Sequence, residues 1–117
     1  MKNVNIVMLV VGLFGGFPAL AQDRLSDQHI NQACTSFSHV GAKIMEARQT
    51  GTSLKDVIDA IETQEASTQS VQKAMAIDAY AIPQFAQEAQ RQKAISLFKT
   101  EVYEACVLDL KKSERNL

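Results

Sequence analysis

From about Ser26 to Gln49, the residues Ile30, Cys34, Phe37, Gly41, Ile44 and Arg48 recur at steps of 4, 3, 4, 3 and 4. That spacing puts all six on one face of an α-helix. Val40 and Met45 widen the face. Ser26 and Asp27 both suit the N-cap, because their side-chain oxygens accept from the free amides of a first turn. Gly51 supplies the left-handed residue that commonly ends a helix. Gly41 lies on the apolar face, where it either admits a neighbouring helix closely or is simply tolerated.

Ser53-Leu54-Lys55-Asp56 has the form of a capping box with Asp in place of Glu, so a second helix starts there. Leu54, Val57, Ile58 and Ile61 form its inner stripe. Asp56, Asp59 and Glu62 lie opposite and make an acidic face, the candidate partner-binding surface of the chain; a solvated outer face produces the same pattern. Residues 62–70, ETQEASTQS, hold no apolar anchor except Ala66 and read as a polar connection, loop or helix. Ser67 or Ser70 then caps a third helix through Ile82, with Val71, Ala74, Met75 and Ile77 inward. Pro83 disfavours helix at Ile82 and ends the segment. A last helix starts near Gln84, with Ile95, Phe98, Val102, Cys106 and Leu110 inward, flanked by Ala94, Leu97 and Ala105. The tail 111–117 has no apolar face before Leu117 and is expected to fray. Four amphipathic helices with short connections predict an all-α fold, a small bundle.

The front of the chain has a different pattern. Residues 1–21 carry Lys2 as their only charge, then an apolar run from Val4 to Phe17 broken by Asn5 and three glycines. Pro18 precedes Ala19-Leu20-Ala21, a small-x-small signature of signal-peptidase cleavage. The run falls short of the roughly 20 apolar residues of a membrane-spanning helix. The expectation is a signal peptide cleaved after Ala21, export to the periplasm, and no membrane insertion afterwards. No cysteine follows the cleavage site, so lipidation there is excluded. Of 117 residues, removing 21 leaves 96 for a single helical domain over 22–117, with 11 basic and 13 acidic side chains.

Composition narrows the chemistry. Charge of neither sign is clustered, and tryptophan is absent, so neither nucleic acid nor an anionic membrane is an expected partner. Cys34 and Cys106 are the only cysteines, and in an oxidising compartment such a pair becomes a disulfide. Both fall on apolar helix faces, so the bond clamps the first helix to the last. Closing a loop of about 70 residues removes on the order of 4 kcal/mol of unfolded-chain entropy. Neither cysteine has a second ligand at metal spacing, so no metal or other cofactor is expected.

Catalytic residues are equally absent from the reading. His29 and His39, ten apart on one helix, point about 80° apart at roughly 100° per residue and cannot share a metal easily. Ser36, Ser38 and His39 are sequence neighbours that do not face each other on a helix. Glu101 and Glu104 fall on an outer face where nothing raises a carboxyl pKa. Tyr103, three residues before Cys106, reads as a half-buried wedge beside the staple; Tyr80 is the other polar aromatic.

Three stretches, GAKIMEARQTGTS (41–53), AIDAYAIP (76–83) and LFKTEVYEAC (97–106), in this order behind Cys34, resemble a recurring type of small exported two-cysteine protein of Gram-negative bacteria and their prophages. The resemblance implies export and a helical fold and brings no active site or partner. Acid-activated periplasmic chaperones are similar in size, helix content and cysteine number, but their cysteines lie closer together. Periplasmic immunity proteins that block cell-wall amidases are also small, exported and helical, without a motif shared here. The expected function is a periplasmic binding or inhibitory module of immunity type, not an enzyme, acting on a protein partner in the cell envelope. The alternatives are a chaperone activated by acid or stress and a small envelope enzyme.

Overall fold

Helix signals and stop signals along the chain are honoured in four places. The computed structural model describes residues 27–115, and among them are four helices and no strand. They are α1 (residues 27–49), α2 (Leu54–Ile61), α3 (Ala66–Tyr80) and α4 (Glu88–Arg115). The predicted signal peptide, residues 1–21, and Ser26 lie outside the described residues. By contact, Ala33–Leu117 form one compact unit; of the other, Met1–Gln32, the described part is the opening turns of α1.

Gly51 ends α1 as its sequence position suggests, at φ +91°. Its N–H donates to the Arg48 carbonyl and that of Thr52 to the Ala47 carbonyl, the paired bonds of a Schellman cap. Ser53 then caps α2, its Oγ accepting from the Asp56 N–H at 3.1 Å. Val57 and Ile61 are buried, Ile58 is half-buried, and Leu54 sits at the rim.

Four helix boundaries and the inner face of α3 differ from the sequence reading, and on α4 Leu97 and Ala105, expected beside the inner face, are exposed. Helix α3 starts at Ala66, inside the polar 62–70 stretch, with Glu65 at the N-cap and no side-chain cap bond, so neither Ser67 nor Ser70 caps it. It ends at Tyr80 rather than Ile82. Its buried residues are Met75, Ala76 and Ala79; Val71 and Ile77, expected inward, are 44% and 61% exposed, and Ala74 is exposed too. The reason is steric: Ala76 and Ala79, both at 0% exposure, allow closer approach than a seam of branched residues would. Helix α4 begins at Glu88, not near Gln84; ahead of it the Pro83 carbonyl and the Phe85 N–H bond to Gln49. It continues to Arg115, into the tail expected to fray.

α1 packs on α4 along the predicted faces. The disulfide Cys34–Cys106 joins them with α-carbons 5.5 Å apart. Seven residues on, Gly41 lies so close to α4 that a β-carbon there would meet Val102 Cγ2 at 2.8 Å and Phe98 Cε2 at 3.5 Å. The glycine is therefore a close-approach residue. α2 packs against α3. Ile44, Met45, Val57, Ile61, Met75 and Phe98 are the larger members of the shared core.

Gly41→Ala should destabilise by about 1–2 kcal/mol, since overpacking costs about 1–3 kcal/mol against a helix-propensity gain of about 1. In a Val102→Ala background the added methyl has room, and the penalty should vanish in denaturant titrations. A stabilising Gly41→Ala in the native background would contradict the close seam. Reduction of Cys34–Cys106, or Cys34→Ser, should remove on the order of 4 kcal/mol and lower Tm by more than about 10 °C. The Cys34→Ser/Cys106→Ser double variant should be little worse than either single, because one bond is lost once. Free thiols found by alkylation of the native protein would refute the bond.

Candidate functional site

The acidic residues Asp56, Asp59 and Glu62 are all exposed on or at the end of α2, as the helical spacing requires. They do not form a free anionic stripe. Lys55 Nζ lies 2.8 Å from Asp59 Oδ2, one helical turn away, and Lys73 Nζ from α3 lies 2.9 Å from Glu62 Oε2. These are solvent-exposed pairs, each worth a fraction of a kcal/mol. They nevertheless cancel most of the local field that would attract a basic partner. Asp56 is left as the carboxylate of that face without an ion pair among the described residues.

A polar cluster that periodicity did not reveal lies at the opposite end of α1 from the disulfide. Gln49 is a fully enclosed side chain, 1% exposed. Its Nε2 donates to the Pro83 carbonyl at 2.9 Å, and its Oε1 accepts from the Phe85 N–H at 2.8 Å. One amide thus satisfies a donor and an acceptor of the 81–87 connection, as a strand partner would. The pair of bonds fixes the non-helical path of 83–85 ahead of α4. Arg48 adds a bond from Nε to the Ile82 carbonyl at 2.9 Å, and its guanidinium sits 5.2 Å from the Tyr80 ring centroid. Tyr80 in turn donates its hydroxyl to the Thr52 carbonyl at 2.7 Å. Burial raises the Tyr80 pKa, Arg48 opposes the rise, and Asp56 adds to it. Most of the cluster's hydrogen bonds go to backbone atoms, and they tie the 81–87 connection to the end of α1.

The remaining sequence candidates are scattered. Ser38 is buried and donates to the Thr35 carbonyl, Ser36 and His39 are exposed, and His29 is exposed in the first turns of α1. Glu101 and Glu104 are exposed on α4, and Tyr103 is half-buried. Among the described residues, no three His, Cys, Asp or Glu side chains converge as metal ligands, and no helix is long and apolar enough to cross a membrane.

What the arrangement does offer is an open apolar groove of about 410 Å³ between α3 and α4. Val71, Ala74 and Met75 line it from α3, and Val102, Ala105 and Leu110 from α4, with Phe37 of α1 and Cys106 of the disulfide also bordering it. The α3 residues are largely those the sequence pattern assigned to the core. The sequence carries this wall as the apolar stripe Val71, Ala74 and Met75 on α3, of which Met75 alone is buried. Asp78 and Asp109 border the same groove.

The chain matches no protein family, no curated protein and no solved structure.

Gln49→Ala removes the partners of the Phe85 N–H and the Pro83 carbonyl together, and should cost about 1–3 kcal/mol at about 0.5–1.5 per hydrogen bond lost. Gln49→Glu, which keeps the acceptor for Phe85, should lose less than Gln49→Ala at low pH, where the carboxyl is protonated and can still donate. Equal losses at every pH would place the amide outside the network. Because the Tyr80 pKa is raised on folding, its phenol binds a proton more tightly in the folded than in the unfolded chain. The associated stability is complete below about pH 10 and is lost as pH climbs through the folded value. Tyr80→Phe should flatten that alkaline decline in a pH series of denaturant midpoints; an unchanged slope would assign it to other groups.

Proposed function

We propose that the chain is a small periplasmic binding module of inhibitory, immunity-type action, which grips a protein partner of the cell envelope and carries out no reaction of its own. The observation that carries this reading is the groove between α3 and α4, whose apolar wall includes the exposed Val71 and Ala74. Its apolar residues are contiguous rather than scattered, the arrangement that a docking partner would cover. The frame beneath is clamped by Cys34–Cys106 at one end of α1 and by Gln49 at the other. A surface held this way surrenders little further conformational entropy when a partner docks. The predicted signal peptide over 1–21 supports the compartment, and the disulfide agrees with an oxidising one.

The ion pairs at Asp59 and Glu62 move the weight of the reading from α2 to the α3–α4 groove. Tagged full-length chain, expressed in a Gram-negative host and cross-linked in the periplasm before affinity purification, should recover the same envelope protein in repeated mass-spectrometric runs. Recovery should drop when Cys34→Ser loosens the frame. Repeated enrichment of nothing above background would overturn the proposal.

A further inference from the structure

The two acidic residues bordering the groove say what kind of partner fits it. Asp78 is contributed by α3 and Asp109 by α4; both are exposed, and neither has an ion-pair partner among the described residues. They contrast with Asp59 and Glu62, each of which is neutralised by a lysine within 3 Å. The groove itself is built from two helical repeats: residues 71, 74, 75 and 78 on α3, and 102, 105, 106, 109 and 110 on α4. Each set follows the i, i+3, i+4, i+7 rule, so the trough runs between two helix faces and has the form that receives an apolar helical ridge. Small side chains at Ala74 and Ala105 leave room for the incoming residues, and no basic residue lines the trough.

From this charge complementarity we infer that the groove binds an amphipathic helical segment of a cationic protein, its apolar face seated on Val71, Ala74 and Ala105 and its lysines or arginines paired with Asp78 and Asp109. The same two carboxylates oppose an anionic lipid or a fatty-acid head group. A second copy of this chain is a poorer occupant, since it presents the same uncompensated acidic pair at the same face. The inference rests on the binding-module reading and names the partner chemistry of that site.

The test uses the purified full chain with its disulfide closed, and two fluorescently labelled synthetic helical peptides of equal length, one of leucine and lysine and one of leucine and glutamate. Fluorescence anisotropy should show saturable binding of the leucine–lysine peptide and no comparable binding of the other. Asp78→Lys/Asp109→Lys should weaken the first by on the order of tenfold, the scale of two exposed pairs lost and made repulsive, and should create affinity for the second. Val71→Asp should also weaken leucine–lysine binding although it adds negative charge, which separates a seated apolar face from bulk attraction. All variants are exposed substitutions, and circular dichroism checks that they fold. Equal binding of both peptides, binding of neither, or indifference to Asp78→Lys/Asp109→Lys would overturn the inference. So would a concentration-dependent dimer abolished by Val71→Asp, which would assign the groove to a second copy. Recovery from the periplasm of a partner that Asp78→Lys/Asp109→Lys leaves bound would also overturn it while leaving the module reading intact. A chain that binds the cationic peptide as described but captures no envelope protein would sustain the groove chemistry and sink the module reading.

Discussion

The α1–α4 seam is the contact on which the other helices depend. Gly41 permits it: with hydrogen in place of a methyl, Val102 and Phe98 settle against the α1 backbone. Along α1 the distance from Cys34 to Gln49 is fifteen residues, about 22 Å at 1.5 Å per residue. At the near end the seam is locked by a covalent bond, at the far end of α1 a buried amide holds the connection that leads into α4, and Gly41 lies between. The two locks act on different states. A disulfide chiefly restricts the unfolded chain, whereas Gln49 discriminates among folded arrangements of the 81–87 connection because only one register pairs Pro83 and Phe85 together.

Such a frame needs both locks because its core is modest. Phe98 is the large aromatic side chain buried there, and much of the remaining interior is alanine and methionine. Alanine contributes little area but lets α3 lie close, so the packing gains contact density where it lacks bulk. Domains near this size bury a smaller share of their surface than larger ones do, and commonly add a staple. The bond between Cys34 and Cys106 supplies it, and its 72-residue separation is nearly the full span of the described helices.

Much of this was legible in the residues. The α1 stripe is inward as its period puts it, and on α4 Ala94 and Phe98 are buried, whereas Leu97, expected beside them, is exposed; Gly51 and Ser53 mark the α1–α2 boundary through backbone chemistry that few other residues supply. α3 was illegible for a definable reason. Its buried seam, Met75, Ala76 and Ala79, is mostly alanine, which scores as neutral, while Val71 and Ile77 are the hydrophobic positions that catch the eye. Gln49 escaped because a terminal glutamine on a helix looks like a surface residue; only the return of the chain at Pro83 and Phe85 gives it partners 34 and 36 residues away. The acidic face of α2 was read correctly as exposed, but Lys73 comes from another helix, so its pairing with Glu62 could not be seen from helical spacing alone.

The misread face of α3 bears directly on function. Valine at a partly exposed helix position loses rotamer freedom against the preceding turn, and at 44% exposure Val71 recovers only part of its burial energy in return. Isolated apolar residues on a surface need no explanation, and Ile77 can be taken as one of these. Val71 is different, because it joins Ala74, Met75, Val102 and Leu110 along one trough rather than standing alone. The domain has placed an apolar residue where folding uses only part of its surface, beside two carboxylates that no lysine among the described residues neutralises. Both features cease to be costs once a third helix, cationic on its flanks, lies in the groove.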